Sequence, residues 1–157
     1  MLIGEIIALS GLLGLAVIED VKHHRISNRL CVTILLTGLL FGLWGGASVA
    51  LTERLGGVVI GFAALLPFYA LSAMGAGDVK LMAAVGSYLG MAALPAVLLT
   101  LIFGGILALA IYLIERYVPV PGALANALIV RESGRLRFPY ALAIAAGSAG
   151  ALWIEVM

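Results

Sequence analysis

Two aspartates, Asp20 and Asp78, are the residues of this sequence best placed to do chemistry. Asp20 closes a long apolar stretch, and Asp78 stands in Gly75-Ala76-Gly77-Asp78-Val79-Lys80 at the opening of another. Acidic side chains near lipid are costly and are functional candidates for that reason. Two carboxylates brought together at the edge of an apolar layer cannot both ionise easily, because like charge and partial desolvation each favour the neutral form. Such a pair holds one acid and one base, enough to activate a water against a carbonyl and to protonate the departing group. Glu19 competes with Asp20 for this part, and residue types alone do not separate the two. Gly75 and Gly77 would permit backbone conformations barred to other residues and let another backbone come close. The plainer reading of the same stretch is a helix stop followed by Asp78 as N-cap, with Lys80 snorkelling to the interface.

The other acids have simpler explanations. Glu5, Glu53 and Glu155 read as solvated helix ends, and Glu115 and Glu132 as surface partners of Arg116 and Arg131. His23 and His24 are adjacent, and consecutive residues rarely give one ion two ligands, so they read as a solvated basic loop rather than a metal site. Cys31 is the one cysteine. It excludes an internal disulfide or a cysteine-paired zinc site and reads as packing.

These residues must be held by elements that live in a bilayer. The 157 residues are 64% hydrophobic and 11% charged, with mean hydropathy +1.21, far from the roughly 25% charged content of a soluble domain. Six apolar stretches follow one another: Leu2–Ile18, Leu30–Val49, Leu55–Met74, Leu81–Leu94, Ala96–Ile114 and Phe138–Val156. The expected fold is therefore all-α and integral to the membrane, six transmembrane helices with short loops in a single domain over residues 1–157. The first stretch lacks a basic leader and cleavage site and reads as a retained span. The fourth has only 14 residues, or 17 when counted back to Asp78. A spanning helix there has to begin near Asp78 and draw that carboxylate to the membrane edge.

Alternating six crossings puts residues 19–29, 75–80 and 115–137 on one face. That face carries Lys22, Arg25, Arg29, Lys80, Arg116, Arg131, Arg135 and Arg137, leaving only Arg54 opposite. By the positive-inside rule it is cytoplasmic, with both termini extracytoplasmic. Asp20 and Asp78 then share a side and a depth. The long connection, with Pro119, Pro121, Gly122 and Gly134 around a mixed apolar and charged run, reads as a membrane-surface element of interfacial-helix character. A net charge of +1 gives no argument for a nucleic-acid partner.

Asp20-Val-Lys-His-His-Arg-Ile26-Ser27-Asn28 resembles the first-aspartate motif of the type IV prepilin peptidases, an aspartate followed by a basic stretch and Ile-Pro-Asn. Gly75-Ala-Gly77-Asp78-Val-Lys80 resembles their second motif, Gly-x-Gly-Asp followed by lysine. Phe138-Pro139-Tyr140 resembles the Pro-Tyr start of the last span in short members of the family. The register of Ile26 and Asn28 selects Asp20 over Glu19. The resemblance implies an aspartic endopeptidase in the inner (cytoplasmic) membrane with Asp20 and Asp78 as its dyad facing the cytoplasm. Its substrate would be a prepilin or pseudopilin with a short basic leader, its other partner membrane lipid, and it would use no cofactor and no metal. Gly75 and Gly77 would shape the loop, Lys80 would bias the charge of Asp78, and Asn28 would support it. Ser27 replaces the usual proline, which points to a less rigid loop.

Larger members carry a cysteine-bearing cytoplasmic segment associated with N-methylation. The connection between the first two stretches is short and has no cysteine, so no N-methyltransferase segment is expected. Size and layout look most like the peptidases of tight-adherence (Tad/Flp) pilus systems, with the archaeal preflagellin peptidases next. A reading from another class is a non-enzymatic transporter or pilus-assembly subunit in which Asp20 and Asp78 take up a proton or cation.

Overall fold

The computed structural model describes residues 3–23, 25–43, 49–117, 130–132, 135–137 and 140–156. Each apolar stretch forms a helix: α1 (Ile3–His23), α2 (Asn28–Leu43), α3 (Leu51–Ala70), α4 (Ala76–Leu89), α5 (Ala93–Tyr117) and α6 (Ala141–Val156). Two segments, Leu51–Ala70 and Ala76–Ala110, are long and apolar enough to cross a bilayer by length and composition, and α2 and Ala141–Ile154 are shorter apolar helices. The long connection ends otherwise than expected. Its last part is an antiparallel hairpin, β1 (Val130–Glu132) with β2 (Arg135–Arg137), pairing Val130 with Arg137. Residues 118–129, with Pro119, Pro121 and Gly122, lie outside the described residues, as do Gly134 and His24.

Among the described residues α4 is the most enclosed helix. Val79 and every residue from Leu81 to Leu89 are buried, chiefly against α3 and α2. Backbone meets backbone between α3 and α4. A Cβ at Gly57 would collide with the carbonyl oxygens of Gly86 and Gly90, and one at Gly61 with the Met82 carbonyl. This four-residue glycine spacing is how helices approach closely in lipid, where dispersion replaces the hydrophobic effect as the driving force. Gly90 then turns the chain towards α5 with φ +56, a left-handed conformation that favours glycine. α5 and α6 pack through Thr100 and Gly147. Large apolar side chains such as Ile7, Leu40, Val59, Leu98 and Ile102 face outwards, a surface suited to hydrocarbon.

The end of the bundle remote from Asp20 and Asp78 corrects one expectation. Glu5 is no solvated helix end, for it is 0% exposed and paired with Arg54, itself 0% exposed. Arg54 Nε donates to the Val49 carbonyl at 3.1 Å, and Nη1 donates to the Gly38 carbonyl at 3.0 Å and the Ser87 carbonyl at 3.1 Å. One guanidinium thereby joins α1, α2, α4 and Val49, two residues before α3. Gly42 makes the room, since a Cβ there would press on Arg54 Cδ.

Candidate active site

Asp20 lies one turn before the end of α1, on the face that turns into the bundle. Its neighbours at helical spacing, Leu9, Leu13 and Ala16, are buried on that face, and Asp20 itself is only 5% exposed. Its Oδ2 accepts a hydrogen bond from the backbone N–H of Ala141 at 3.0 Å. That donor is one of the unpaired N–H groups of a helix start, here the first residue of α6. Glu19, one residue earlier, points elsewhere. It is half-buried, and its carboxylate accepts from the Ser27 N–H at 3.0 Å. The two acids that residue type could not tell apart thus have different surroundings.

Asp78 is the third residue of α4 and is half-buried. Gly75, not Asp78, is the N-cap. The Asp78 N–H donates to the Gly75 carbonyl at 3.2 Å, and Asp78 Oδ2 accepts from the Gly75 N–H at 3.0 Å. This is the reciprocal arrangement of a capping box, with the glycine carbonyl in place of the capping side chain that glycine lacks. The expected conformational freedom of the motif is not used. Neither Gly75 nor Gly77 has positive φ, and Gly75 sits at φ −78, ψ 153. Gly75 provides room, while a Cβ on Gly77 would make only ordinary contact. A Cβ on Gly75 would lie 3.2 Å from Asp78 Oδ2, and one on Gly77 would rest 3.5 Å from Ile26 Cβ.

Asp20 is tied to the start of α6 by the Ala141 N–H, and the neighbouring Tyr140 feels the charge of Asp78. The Tyr140 ring lies on Gly104 of α5, where a Cβ would overlap it. Tyr140 belongs to the Pro-Tyr motif of the sequence, of which Phe138 and Pro139 lie outside the described residues. No side-chain pattern could announce the Ala141 N–H, because the donor is backbone. On the other flank Lys80 Nζ donates to Asn28 Oδ1 at 2.9 Å, tying the start of α4 to the start of α2. Cys31 is buried and free. Among the described residues no three of His, Cys, Asp and Glu gather as a metal ligand set. The site therefore holds two carboxylates, a phenol, a lysine and backbone donors, at one end of a tightly packed helical bundle. These groups can exchange protons and hold a polar backbone.

Residues 7–114 match the model of the type IV leader peptidase family. The chain is similar to the prepilin leader peptidase/N-methyltransferase of Pectobacterium carotovorum subsp. carotovorum, 36% identical over 116 residues, which is 69% of this chain and 41% of that protein. It is also similar to the protein of the same name from Klebsiella pneumoniae, 38% identical over 105 residues, covering 62% of this chain and 45% of the relative. The matched part spans less than half the length of these curated relatives. No solved structure matches the chain. The family match takes in Asp20, Asp78 and the helices that carry them, and on that ground the chain belongs to the type IV leader peptidase family.

Proposed function

We propose that this protein is a membrane-embedded aspartic endopeptidase that removes a short basic leader from a type IV prepilin or pseudopilin, with Asp20 and Asp78 as its dyad. The observation that carries this reading is that Asp20 binds the Ala141 N–H while the neighbouring Tyr140 feels the charge of Asp78, 58 positions on from Asp20, inside a chain of the leader peptidase family. The two carboxyl groups share one proton. The ionised one takes a proton from water as the water oxygen attacks the carbonyl carbon of the scissile peptide. The protonated one gives its proton to the carbonyl oxygen. Collapse of the tetrahedral intermediate breaks the C–N bond, the nitrogen leaves with a proton as the amine, and the leader leaves as a carboxylic acid.

In this reading residues 1–157 act as one unit with six membrane crossings in the inner membrane, and the Asp20 end faces the cytoplasm. Lys22, Arg25, Arg29 and Lys80 are exposed at that end, as the positive-inside rule asks of a cytoplasmic face. Arg54, the one basic residue opposite, is neutralised by Glu5 in the core and so does not count against that orientation. Gly75 and Gly77 keep the mouth of the site free of side chains for an extended peptide, and Lys80 and Asn28 hold its flank.

Co-expression with a prepilin of basic leader, followed by mass spectrometry of the pilin N-terminus, tests the assignment. Asp20→Asn and Asp78→Asn are each expected to leave the leader in place. Full processing by either variant overturns the dyad.

A further inference from the structure

Glu19 is an acid beside the site that the proposed chemistry does not use. Its carboxylate accepts from the Ser27 N–H at 3.0 Å and from the Ser27 hydroxyl at 3.5 Å, closing the turn between α1 and α2. Ser27 continues the connection. Its Oγ accepts from the Leu30 N–H at 3.2 Å as the N-cap of α2, and its carbonyl accepts from the Cys31 N–H at 3.2 Å. The residues flanking Ser27 both touch α4. Ile26 lies against Gly77, and Asn28 accepts from Lys80. A continuous set of bonds and packing therefore runs from the residue next to Asp20 to the residues either side of Asp78.

We propose that Glu19 is a positioning residue that fixes the Asp20 end of α1 against the Gly77–Lys80 start of α4, by holding Ser27 and through it Ile26 and Asn28. The turn it closes carries Lys22, His23 and Arg25, all exposed. The repulsion between Lys22 and Arg25 favours a splayed loop, and a carboxylate that accepts the Ser27 N–H opposes it. A backbone N–H bonded to a carboxylate is among the stronger hydrogen bonds of a protein. The serine at this position supplies two donors to Glu19, and the N–H is one that a proline would lack.

The inference rests on the peptidase reading above, and the two can fail separately. Prepilin cleavage by purified protein in detergent is measured for wild type, Glu19→Ala and Glu19→Gln, with Asp20→Asn and Asp78→Asn as controls. Glu19→Ala is expected to lower kcat about tenfold with KM within about twofold, as a sub-ångström misplacement of reacting groups does. Glu19→Gln keeps an oxygen for the Ser27 N–H without the charge, and is expected to lose less than Glu19→Ala, retaining about half of the activity. Alkylation of Cys31, the one thiol of the chain, reads the same connection without catalysis, and it is expected to quicken in Glu19→Ala and not in Glu19→Gln. Wild-type kcat in Glu19→Ala, equal damage in Glu19→Gln, or unchanged Cys31 reactivity overturns the role of Glu19. Should Glu19→Ala fail to accumulate, Ser27→Ala, which loses only the hydroxyl, is expected to quicken Cys31 alkylation less strongly, and no change there also overturns it. Processing by the aspartate controls overturns the peptidase reading instead and leaves the Cys31 measurement standing.

Discussion

The bundle carries charged side chains at both ends, and the two ends treat them in opposite ways. At one end Arg54 and Glu5 are 0% exposed, and the guanidinium spends its donors on Glu5 and three backbone carbonyls. At the other, Asp78 is half-buried, Lys80 is exposed, and the acids meet backbone donors of helix starts and turns. A charge within an apolar chain is thus not by itself a mark of chemistry. The first end closes the bundle around a satisfied cation, while the second buries Asp20 but leaves Asp78 half-buried and Lys80 exposed.

Substitutions at the two ends should therefore fail in different assays. The largest effect is expected for Asp20→Asn or Asp78→Asn, a loss of leader cleavage of about 10²–10⁴-fold, the usual share of general acid–base groups. Neither should shift the unfolding midpoint downwards by much, which circular dichroism on heating will check. Arg54→Ala is expected to do the reverse. Breaking a buried ion pair costs about 3–5 kcal/mol because the remaining charge is left without its partner, and the deficit should appear as early unfolding in denaturant titration. The double substitution Glu5→Leu with Arg54→Met should recover most of that loss, since a fitted apolar pair replaces a buried ion pair at little or no cost. A double variant as unstable as Arg54→Ala would show that the hydrogen bonds to Val49, Gly38 and Ser87 matter more than the charges. Next in size is Gly86→Ala, whose added methyl meets the Gly57 carbonyl oxygen. Overpacking of this kind costs about 1–3 kcal/mol. It is expected to lower stability and, by tilting α4, cleavage as well, so that it alone shows in both assays.

What the sequence could reveal follows the same division. Helices were readable because each is an apolar stretch, and the end with Asp20 and Asp78 because its residues recur in recognisable motifs. The opposite end was misread for a physical reason. Glu5 and Arg54 are 49 positions apart and each lies in the first turn of its helix, where a charge ordinarily faces water. Nothing local says that the two will meet under α2 and α4. The same limit hid the Ala141 donor to Asp20 and the part of Glu19, since one is backbone and the other depends on where a turn closes. The plainer of the two readings made Asp78 the N-cap, and it is the third residue of the helix instead. Gly75 takes the cap position because an aspartate three residues on can reach back to its N–H, which a capping aspartate could not do for itself.

The smallest effect separates support from chemistry within the second end. Lys80 and Asn28 share one exposed hydrogen bond of 2.9 Å between the starts of α4 and α2. Removing an exposed hydrogen bond costs about 0.5–1.5 kcal/mol at most, so Asn28→Ala should reduce cleavage by no more than about tenfold. If the bond is the whole of the role, Lys80→Met should match Asn28→Ala, and the double variant should be no worse than either, as expected of two groups that act only through each other. If Lys80 also acts on the Asp78 carboxylate through its charge, Lys80→Met should exceed Asn28→Ala and shift the pH profile of cleavage upwards, because a nearby cation favours the ionised carboxylate. The pH profiles of the two single variants, measured side by side, decide whether the lysine of this motif is a strut or an electrostatic partner of the aspartate.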